Sequence, residues 1–312
     1  MPSYTKLSGI DDISESTLCD QLESNLIEFF NWGFLGIGAF FNVTRDLDES
    51  RLRAVEDPRT VRGKIWEPAR NNIIWESGVE YSLQPIGISG VYVNNTFYSS
   101  STSGTYSHYI DYITGKVVFN NPIDYTADVR LEYSYRYFNF TTADVPWFRQ
   151  VMFDSFRVDD NNFFQFGSGV WSTLSQNRVQ LPSVVVEATP RSTSEGYQLG
   201  GGRKVKQDIL FHVFTENPWD RKTVLDVLRY QEEKTIKTFD KNLIAAQDGF
   251  PFTETGALSD SPLTYPQLIA PTGDGGFYWK NITVDKVTSQ ETISLPPLYQ
   301  AVVRGTFEVI LP

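Results

Sequence analysis

Hydrophobic and polar residues alternate from Val205 to Phe214, and a two-residue period of this kind predicts a β-strand. The apolar residues of one face are Val205, Ile209, Phe211 and Val213. Leu210 and Phe214 add apolar side chains to the opposite face. The pattern therefore predicts a strand that is central or covered on both faces. A glycine triplet at 200–202 precedes it, followed by the cations Arg203, Lys204 and Lys206.

An amphipathic helix is predicted directly after this strand. Asn217 can cap its first turn, because an asparagine side chain accepts a hydrogen bond from an unpaired N–H, and Pro218 has no N–H to leave unpaired. The residues that recur at three- and four-residue steps are Val224, Leu225, Leu228, Thr235 and Phe239. Glu233 and Lys237 stand four residues apart, as an ion pair along a helix requires. We therefore expect one long helix over residues 219–239.

The N-terminal part of the chain predicts a further amphipathic helix. Ser14 or Ser16 can cap it, and the helical pattern runs through about Asn31. The residues that carry this pattern are Leu18, Leu22, Leu26 and Phe29. An apolar run at 32–43 follows, interrupted by glycines, and it ends in residues that favour a strand.

The pattern changes twice in the middle of the chain. Residues 44–62 are crowded with charge and lack an apolar period, which indicates a boundary. Residues 63–140 consist of short alternating segments separated by turn residues. Thr114 and Gly115 are predicted to close a hairpin, and one long strand is expected at 129–137. This region therefore predicts a small all-β domain inserted into the chain.

The remaining third returns to longer elements. The predicted elements are a helix at 145–156, a loop at 159–169, strands within 171–186, a loop at 248–276 and strands at 282–287 and 301–311. Residues 190–202 are either a flexible loop or the long turn of a hairpin. Together the elements predict an α+β fold with a mixed or antiparallel sheet flanked by helices. Residues 1–44 and 145–312 would form this core, and residues 45–144 the inserted, sandwich-like β domain.

Composition narrows the range of functions. The chain has 312 residues and a formal net charge of −11, so its average surface repels phosphate and we expect no sequence-specific binding of nucleic acid. Hydrophobic residues make up 40% of the chain, which predicts a globular protein. No signal-peptide pattern and no run of about 18 apolar residues is found, so we expect no association with a membrane and folding in a cytosol.

Residues that commonly carry catalysis are sparse. Cys19 is the single cysteine, which excludes an internal disulfide, and the helical pattern around it favours a buried or half-buried thiol. The two histidines, His108 and His212, lack metal-ligand spacing. His212 shares a strand face with Leu210 and Phe214, which favours a core imidazole, whereas His108 is expected on the surface or in a cross-strand pair. We therefore expect no enzymatic activity, no cofactor and no metal.

Two glycine-containing segments invite a ligand-binding interpretation. Gly36 and Gly38 precede a strand instead of joining a strand to a helix, and the third glycine of a dinucleotide fingerprint is missing. Close backbone packing or an intersubunit contact explains them better. The loop Thr272–Gly276 has one carboxylate and lacks the alternating oxygen ligands of a calcium site, so a tight turn is expected.

Aromatic residues are unusually frequent, with 16 tyrosines and 22 phenylalanines, many of them alternating on predicted strands of the insertion. Such rings could stack on sugars, or they could form cross-strand pairs and an oligomer interface. The second interpretation is favoured, because no metal or carboxylate arrangement accompanies the rings in the sequence.

The order of elements outside the insertion resembles that of the tail-terminator (tail-completion) proteins of tailed bacteriophages. The stretches that look most alike are Ser192–Gly202 with the strand after it, TENPWDRKTVLDVL and VVRGTFEVILP. The segment YIDYITGKVVFNNPI is similar to hairpins of virion β domains. The resemblance covers about residues 10–43 and 145–312, and the long insertion departs from it.

The resemblance implies a structural protein of the virion, assembled in the host cytoplasm. Its subunits would form a ring, with six copies expected, at the head–tail neck, where the ring ends the tail tube and joins it to the head. The implied partners are further copies of the chain, the tail tube protein and the head–tail connector proteins. Another tail or baseplate protein with a receptor- or carbohydrate-binding β domain is the alternative.

A closed ring requires a heterologous interface, in which one patch of each subunit meets a different patch of the next. The residues expected to contribute are Gly36, Gly38, Arg203, Lys204, Lys206, Tyr230 and Ile236. Tyr230 and Ile236 are included because they lie off the apolar face of the predicted helix. The glycine run is included because it is more apolar than a surface loop requires.

Overall fold

The computed structural model describes residues 15–56, 60–145, 147–148, 180–197, 202–271, 276–295 and 298–311. The helices of this part are α1 (Glu15–Gly36), α2 (Pro218–Arg229), α3 (Lys241–Ala246) and α4 (Tyr265–Leu268). The strands are β1 (Phe40–Val43), β2 (Arg53–Ala54), β3 (Ile65–Glu67), β4 (Gly90–Val93), β5 (Thr96–Ser99), β6 (His108–Asp111), β7 (Lys116–Phe119), β8 (Val129–Leu131), β9 (Tyr133–Arg136), β10 (Asn139–Thr142), β11 (Ser183–Gly196), β12 (Arg203–Thr215), β13 (Thr235–Phe239), β14 (Tyr278–Leu295) and β15 (Leu298–Leu311). The protein is therefore a mixed α/β protein in which strands predominate.

One large sheet and three small ones make up the fold. The large sheet has six strands in the order β10-β11-β12-β15-β14-β13 and curls into a half-barrel. It is mixed, because β10 and β11 run parallel while the other neighbours are antiparallel. The small sheets are antiparallel and have the orders β2-β3-β7-β6, β5-β4-β8 and β1-β9.

Strand β12 lies in the middle of the large sheet, as its two apolar faces predict. It pairs with β11 on one side and with β15 on the other, from Arg203 opposite Leu311 to Thr215 opposite Tyr299. The predicted face packs against apolar residues of α1 and α2, all of them buried. On the opposite face Phe214 packs with Val185 and Phe148. Fully burying one such side chain is worth roughly 1.5–3 kcal/mol, so this doubly covered strand is a main source of stability.

Helix α1 is longer than its sequence pattern predicts, because it continues past Asn31 to Gly36. It ends in a Schellman motif: the Gly38 N–H donates to the Leu35 carbonyl at 3.0 Å, and the Ala39 N–H donates to the Phe34 carbonyl at 2.9 Å. Gly38 has a φ of +83°, the left-handed conformation that this motif requires. The first part of the predicted glycine-punctuated run is therefore the last turn of a helix.

The predicted long helix at 219–239 is wrong in its second half. Asn217 caps α2 as expected, with its side chain accepting from the Asp220 N–H, but the helix ends at Arg229. Glu233 then adopts a φ of +66°, and residues Thr235–Phe239 form β13 at the edge of the large sheet. A spacing of four residues fits both a helix and a strand, so the Thr235 and Phe239 pattern did not distinguish them. The predicted helical ion pair of Glu233 with Lys237 does not exist in this geometry.

The predicted long strand at 129–137 is also corrected. The chain leaves one small sheet after β8 and joins another at β9, so Glu132 separates two strands with different partners. Its carboxylate accepts from the Arg45 N–H at 3.2 Å and from the Tyr92 hydroxyl at 3.1 Å. The three small sheets share a second hydrophobic core that includes Trp66, Phe119 and Tyr133. The hairpin predicted at Thr114 and Gly115 joins β6 to β7.

The remaining predicted elements have three outcomes. Residues 190–196 belong to a hairpin, because β11 extends to Gly196 and pairs with β12, whereas 198–201 lie outside the described residues. The two C-terminal strands exist and are longer than predicted, since β14 covers Tyr278–Leu295 and β15 covers Leu298–Leu311. Three predicted elements lie outside the described residues, apart from 145, 147 and 148: the helix at 145–156, the loop at 159–169 and the strand character near 171–179. Residues 272–275 of the predicted glycine turn lie outside them as well. Strand β10, which lies within the predicted insertion of residues 45–144, pairs with β11 and is therefore part of the large sheet.

Candidate functional site

The two glycines predicted at an interface lie at the end of α1. A Cβ added at Gly36 would have no heavy atom within 4 Å, whereas one at Gly38 would lie 2.6 Å from the Tyr81 ring. Gly38 therefore provides close backbone packing against an aromatic ring, one of the two explanations that the sequence left open. Between the glycines, Ile37 is 61% exposed, and Phe41 of the following strand is 50% exposed.

The predicted basic segment is already paired within the chain. Lys204 lies 2.8 Å from a carboxylate oxygen of Glu308, and Lys206 lies 2.8 Å from one of Asp285. The hydrogen bond to Asp285 raises the pKa of Lys206. Arg203 is exposed at the first position of β12. Since both lysines are neutralised locally, they contribute little attraction for an external anion.

Tyr230 and Ile236 have opposite environments. Tyr230 ends α2 and is 81% exposed, but Ile236 is 3% exposed and belongs to the main core. The prediction that Ile236 contributes to a subunit interface is therefore wrong, because it rested on a helix where the chain forms β13. Trp219, which the sequence analysis did not select, is 76% exposed at the other end of α2. Tyr230 follows Trp219 by eleven positions, which is close to three turns of a helix with about 3.6 residues per turn. The two side chains therefore lie on one side of α2.

Two surface patches result, and each is defined by its exposed rings and aliphatic side chains. The α2 patch is the pair of exposed rings Trp219 and Tyr230, which stand about 16 Å apart along the helix with polar residues between them. The α1-end patch consists of Ile37, Tyr81 and Leu83, which are 40–61% exposed. Phe41 lies on the other face of β1, where its ring packs with Tyr135 and Tyr137. Contacts hold the second patch together: Gly38 packs on Tyr81, and the Asn42 side chain donates to the Gln84 carbonyl at 3.0 Å, next to Leu83.

Both histidine side chains are buried in the fold. His212 is buried, and its Nε2 lies 2.8 Å from a carboxylate oxygen of Glu187, which agrees with a satisfied core imidazole. His108 is buried as well, so the expectation of a surface position is wrong, although it does sit opposite Phe119 in a cross-strand pair. Burial lowers the pKa of His108, opposed by a hydrogen bond to the Tyr106 carbonyl.

A cleft of about 930 Å³ lies where α1, the residue 71–76 segment, the β6–β7 turn and Phe252 meet. Its aromatic residues are Trp75, Tyr112, Trp147 and Phe252, and its amide residues are Asn31, Asn71, Asn72 and Asn139. Its charged residues are Glu28, Glu76, Lys116 and Arg136. These residues are distant in sequence, so only the folded chain assembles the cleft.

A buried charge cluster forms one wall of the cleft. Arg136 pairs with Glu76, and their side chains are 11% and 4% exposed. Glu28 of α1 faces this pair, and its pKa is raised to about 7 by burial and by the negative charge of Glu76, against the opposing effect of Arg136. A carboxyl group with this pKa carries a proton in a large fraction of molecules near neutral pH, and it can then donate a hydrogen bond.

Several polar atoms of the cleft residues remain without a partner. Asn72 Oδ1, Arg136 Nε and Thr141 Oγ1 are buried and find no hydrogen-bond partner within the described part of the chain. An unsatisfied buried polar group costs about 1–3 kcal/mol. Three such groups belong to residues that line one cleft, so the polar side chains of its wall are not fully hydrogen-bonded within the described part of the chain.

Sequence reasoning missed this cleft for a physical reason. Glu28 lies beside the apolar stripe of α1, and Arg136 occupies a polar position of an alternating strand, so each resembles ordinary solvated charge. Glu76 follows Trp75 in a region read as short strands and turns. No local spacing connects these positions, because their proximity depends on how the insertion folds back on α1.

Comparisons with known proteins add no family assignment: no family model matches the chain, and no curated protein matches it. Within the described residues, no group of three or more His, Cys, Asp or Glu side chains could hold a metal ion. Among the helices described above, none is both long and apolar enough to cross a membrane.

Proposed function

We propose that the protein is a structural subunit of a bacteriophage virion that assembles head to tail into a ring at the head–tail neck. The observation that carries this proposal is that exposed apolar side chains stand on two different elements of one subunit, in the α2 patch and in the α1-end patch. A heterologous interface joins two different patches, and repetition around an axis closes a ring. Exposed Trp and Tyr are the residues most enriched at interface hot spots.

The resemblance of the sequence to tail-terminator proteins supports a ring of six subunits at the end of the tail tube as the proposed assembly. Its proposed partners are the tail tube protein on one side and head–tail connector proteins on the other. In this arrangement an α+β core of residues 1–44 and 145–312 forms the ring, and a sandwich-like insertion of residues 45–144 projects outward. The large sheet with α1 and α2 packed on it supplies a rigid frame for the ring. Strand β10 of this sheet and Tyr81 and Leu83 of the α1-end patch come from residues 45–144, so part of the insertion lies beside the proposed contact.

Multi-angle light scattering of the purified protein, alone and with isolated tail tubes, tests the assembly. We expect the wild-type chain to form a closed oligomer, and two double variants to abolish it: Trp219→Ser with Tyr230→Ser in the α2 patch, and Ile37→Ser with Leu83→Ser in the α1-end patch. The control is Val61→Ser, which removes an apolar side chain that is 62% exposed outside both patches. Circular dichroism checks that each variant is folded.

Mixing the two double variants distinguishes a heterologous interface from a two-fold one. Each retains one intact patch, so a mixture should form a heterodimer with a single interface and no larger species. A wild-type chain that stays monomeric both alone and with tail tubes contradicts the proposal. So does a ring that survives both double variants.

A further inference from the structure

We propose that the cleft between α1 and the inserted β region binds a short neutral oligosaccharide. This inference does not rest on ring assembly, because it concerns a different surface. The sequence analysis disfavoured a sugar site on the ground that no carboxylates accompany the aromatic residues. The fold supplies them, since Glu28 and Glu76 line the same cleft as Trp75, Tyr112 and Phe252.

An aromatic wall forms the first part of the site. The Trp75 and Phe252 rings meet edge to face with centroids 5.9 Å apart, and the Tyr112 and Phe252 rings are nearly parallel with centroids 6.3 Å apart. The face of an aromatic ring carries partial negative charge, and the C–H groups of a pyranose carry partial positive charge. These three rings in mutual contact therefore give the cleft an aromatic wall against which the C–H groups of a sugar pack favourably.

Amide and carboxyl groups form the second part. The side-chain amides of Asn71 and Asn139 make no hydrogen bond to other residues of the described segments, yet both line the cleft. Each amide offers donors and acceptors in one plane, the arrangement that adjacent sugar hydroxyls require. Glu28 adds a carboxyl group that can donate a hydrogen bond while it is protonated. These amide and carboxyl groups can therefore bind sugar hydroxyls without breaking a hydrogen bond that the fold uses.

The charge of the lining favours a neutral ligand. Glu76 and Arg136 neutralise each other in a buried pair, which leaves Lys116 and Glu28 as the remaining charged groups. The lining residues that the structure describes therefore carry no excess of positive charge to attract an anionic sugar. The volume of about 930 Å³ falls within the range of roughly 300–1,000 Å³ in which proteins bind small molecules.

A glycan array bearing neutral and anionic microbial glycans, followed by calorimetry, tests the proposal. The neutral probes are maltotriose, cellotriose, chitotriose and mannotriose, and the anionic probe is trigalacturonic acid. We expect at least one neutral probe to bind with a Kd below about 1 mM, and trigalacturonic acid to bind more weakly.

Two variants assign binding to the cleft. Phe252→Ala removes the central ring, and Asn71→Ala removes an amide that makes no contact needed for folding; each should weaken binding at least tenfold. Tyr125→Ala, at an aromatic residue 51% exposed elsewhere, and Asn242→Ala, at an exposed amide, should leave binding unchanged. The proposal is overturned if no neutral glycan binds, if the anionic probe binds as tightly, or if Asn71→Ala retains full affinity.

Discussion

Asn25 of α1 and Phe239 of β13 are joined by two hydrogen bonds across 214 positions of sequence. The Asn25 Nδ2 donates to the Phe239 carbonyl at 2.9 Å, and its Oδ1 accepts from the Phe239 N–H at 2.7 Å. Gln21, one turn earlier, accepts from the Lys241 N–H at 3.0 Å and donates to the Asp240 side chain at 2.9 Å. Two amides on one helix face therefore hold the main chain between β13 and α3 against α1.

Asn25→Leu should destabilise the fold by about 2–4 kcal/mol, because it leaves a buried N–H and a buried carbonyl of Phe239 unsatisfied at once. Asn25 is 1% exposed, so water does not replace the lost contacts. Urea unfolding followed by tryptophan fluorescence gives the difference. Asn242→Leu, an exposed position on α3, serves as the control and should change stability by less than about 0.5 kcal/mol. Equal stabilities of the two variants would contradict the role of this contact.

Gly38→Ala and Gly36→Ala should have opposite effects although the positions are two residues apart. At Gly38 the added Cβ meets the Tyr81 ring and the left-handed φ of +83° is strained, so we expect a loss of about 1–2 kcal/mol or more. At Gly36 the Cβ meets no heavy atom within 4 Å inside a helix, and alanine should be neutral or stabilise by up to about 1 kcal/mol. Thermal unfolding of both variants measures this contrast, and a destabilised Gly36→Ala would argue against the helical end at this position.

Ile236→Ala and Tyr230→Ala distinguish a strand from a continued helix after Arg229. The structure buries Ile236 to 3% exposure and leaves Tyr230 81% exposed, so we expect losses of about 2–4 kcal/mol at Ile236 and less than about 0.5 kcal/mol at Tyr230. Chemical denaturation measures both under conditions where the chain is monomeric. A chain that remained helical to Phe239 would not bury Ile236, and its substitution would then cost little.

The pH dependence of stability should contain a contribution from Glu28. Its folded-state pKa is raised to about 7 from a usual value of 4.5, chiefly by burial and also by the negative charge of Glu76, while Arg136 lowers it. Burial, and to a smaller extent the charge of Glu28, raises the pKa of Tyr265. The folded protein therefore holds this proton more tightly than the unfolded chain does. The associated stability is present below pH 4.5 and is lost as the pH rises through about 7.

The Glu28→Gln variant tests this dependence, since glutamine keeps the shape and cannot ionise. Relative to wild type, the variant should gain in unfolding free energy between about pH 5 and about pH 8. Guanidinium unfolding at a series of pH values measures the difference. Parallel pH profiles for the two proteins would show that Glu28 titrates normally in the folded state.

Local patterns were sufficient to predict several elements. The alternation at 205–214 gives a strand covered on both faces, and Asn217 with Pro218 gives the start of α2, because each depends on neighbours within a few positions. The hairpin at Thr114 and Gly115 follows from turn residues in the same way.

Long-range contacts determined the features that the sequence analysis predicted wrongly or missed. Residues 235–239 have spacings compatible with either a helix or a strand, and the free edge of β14 selects the strand. The division of 129–137 at Glu132 depends on which sheet each half joins. The cleft depends on Glu28, Glu76 and Arg136 being brought together from three segments. The spacing of apolar residues along the chain shows which face of a helix or strand each side chain occupies. Which other element packs against that face is determined by the free energy of packing the whole chain.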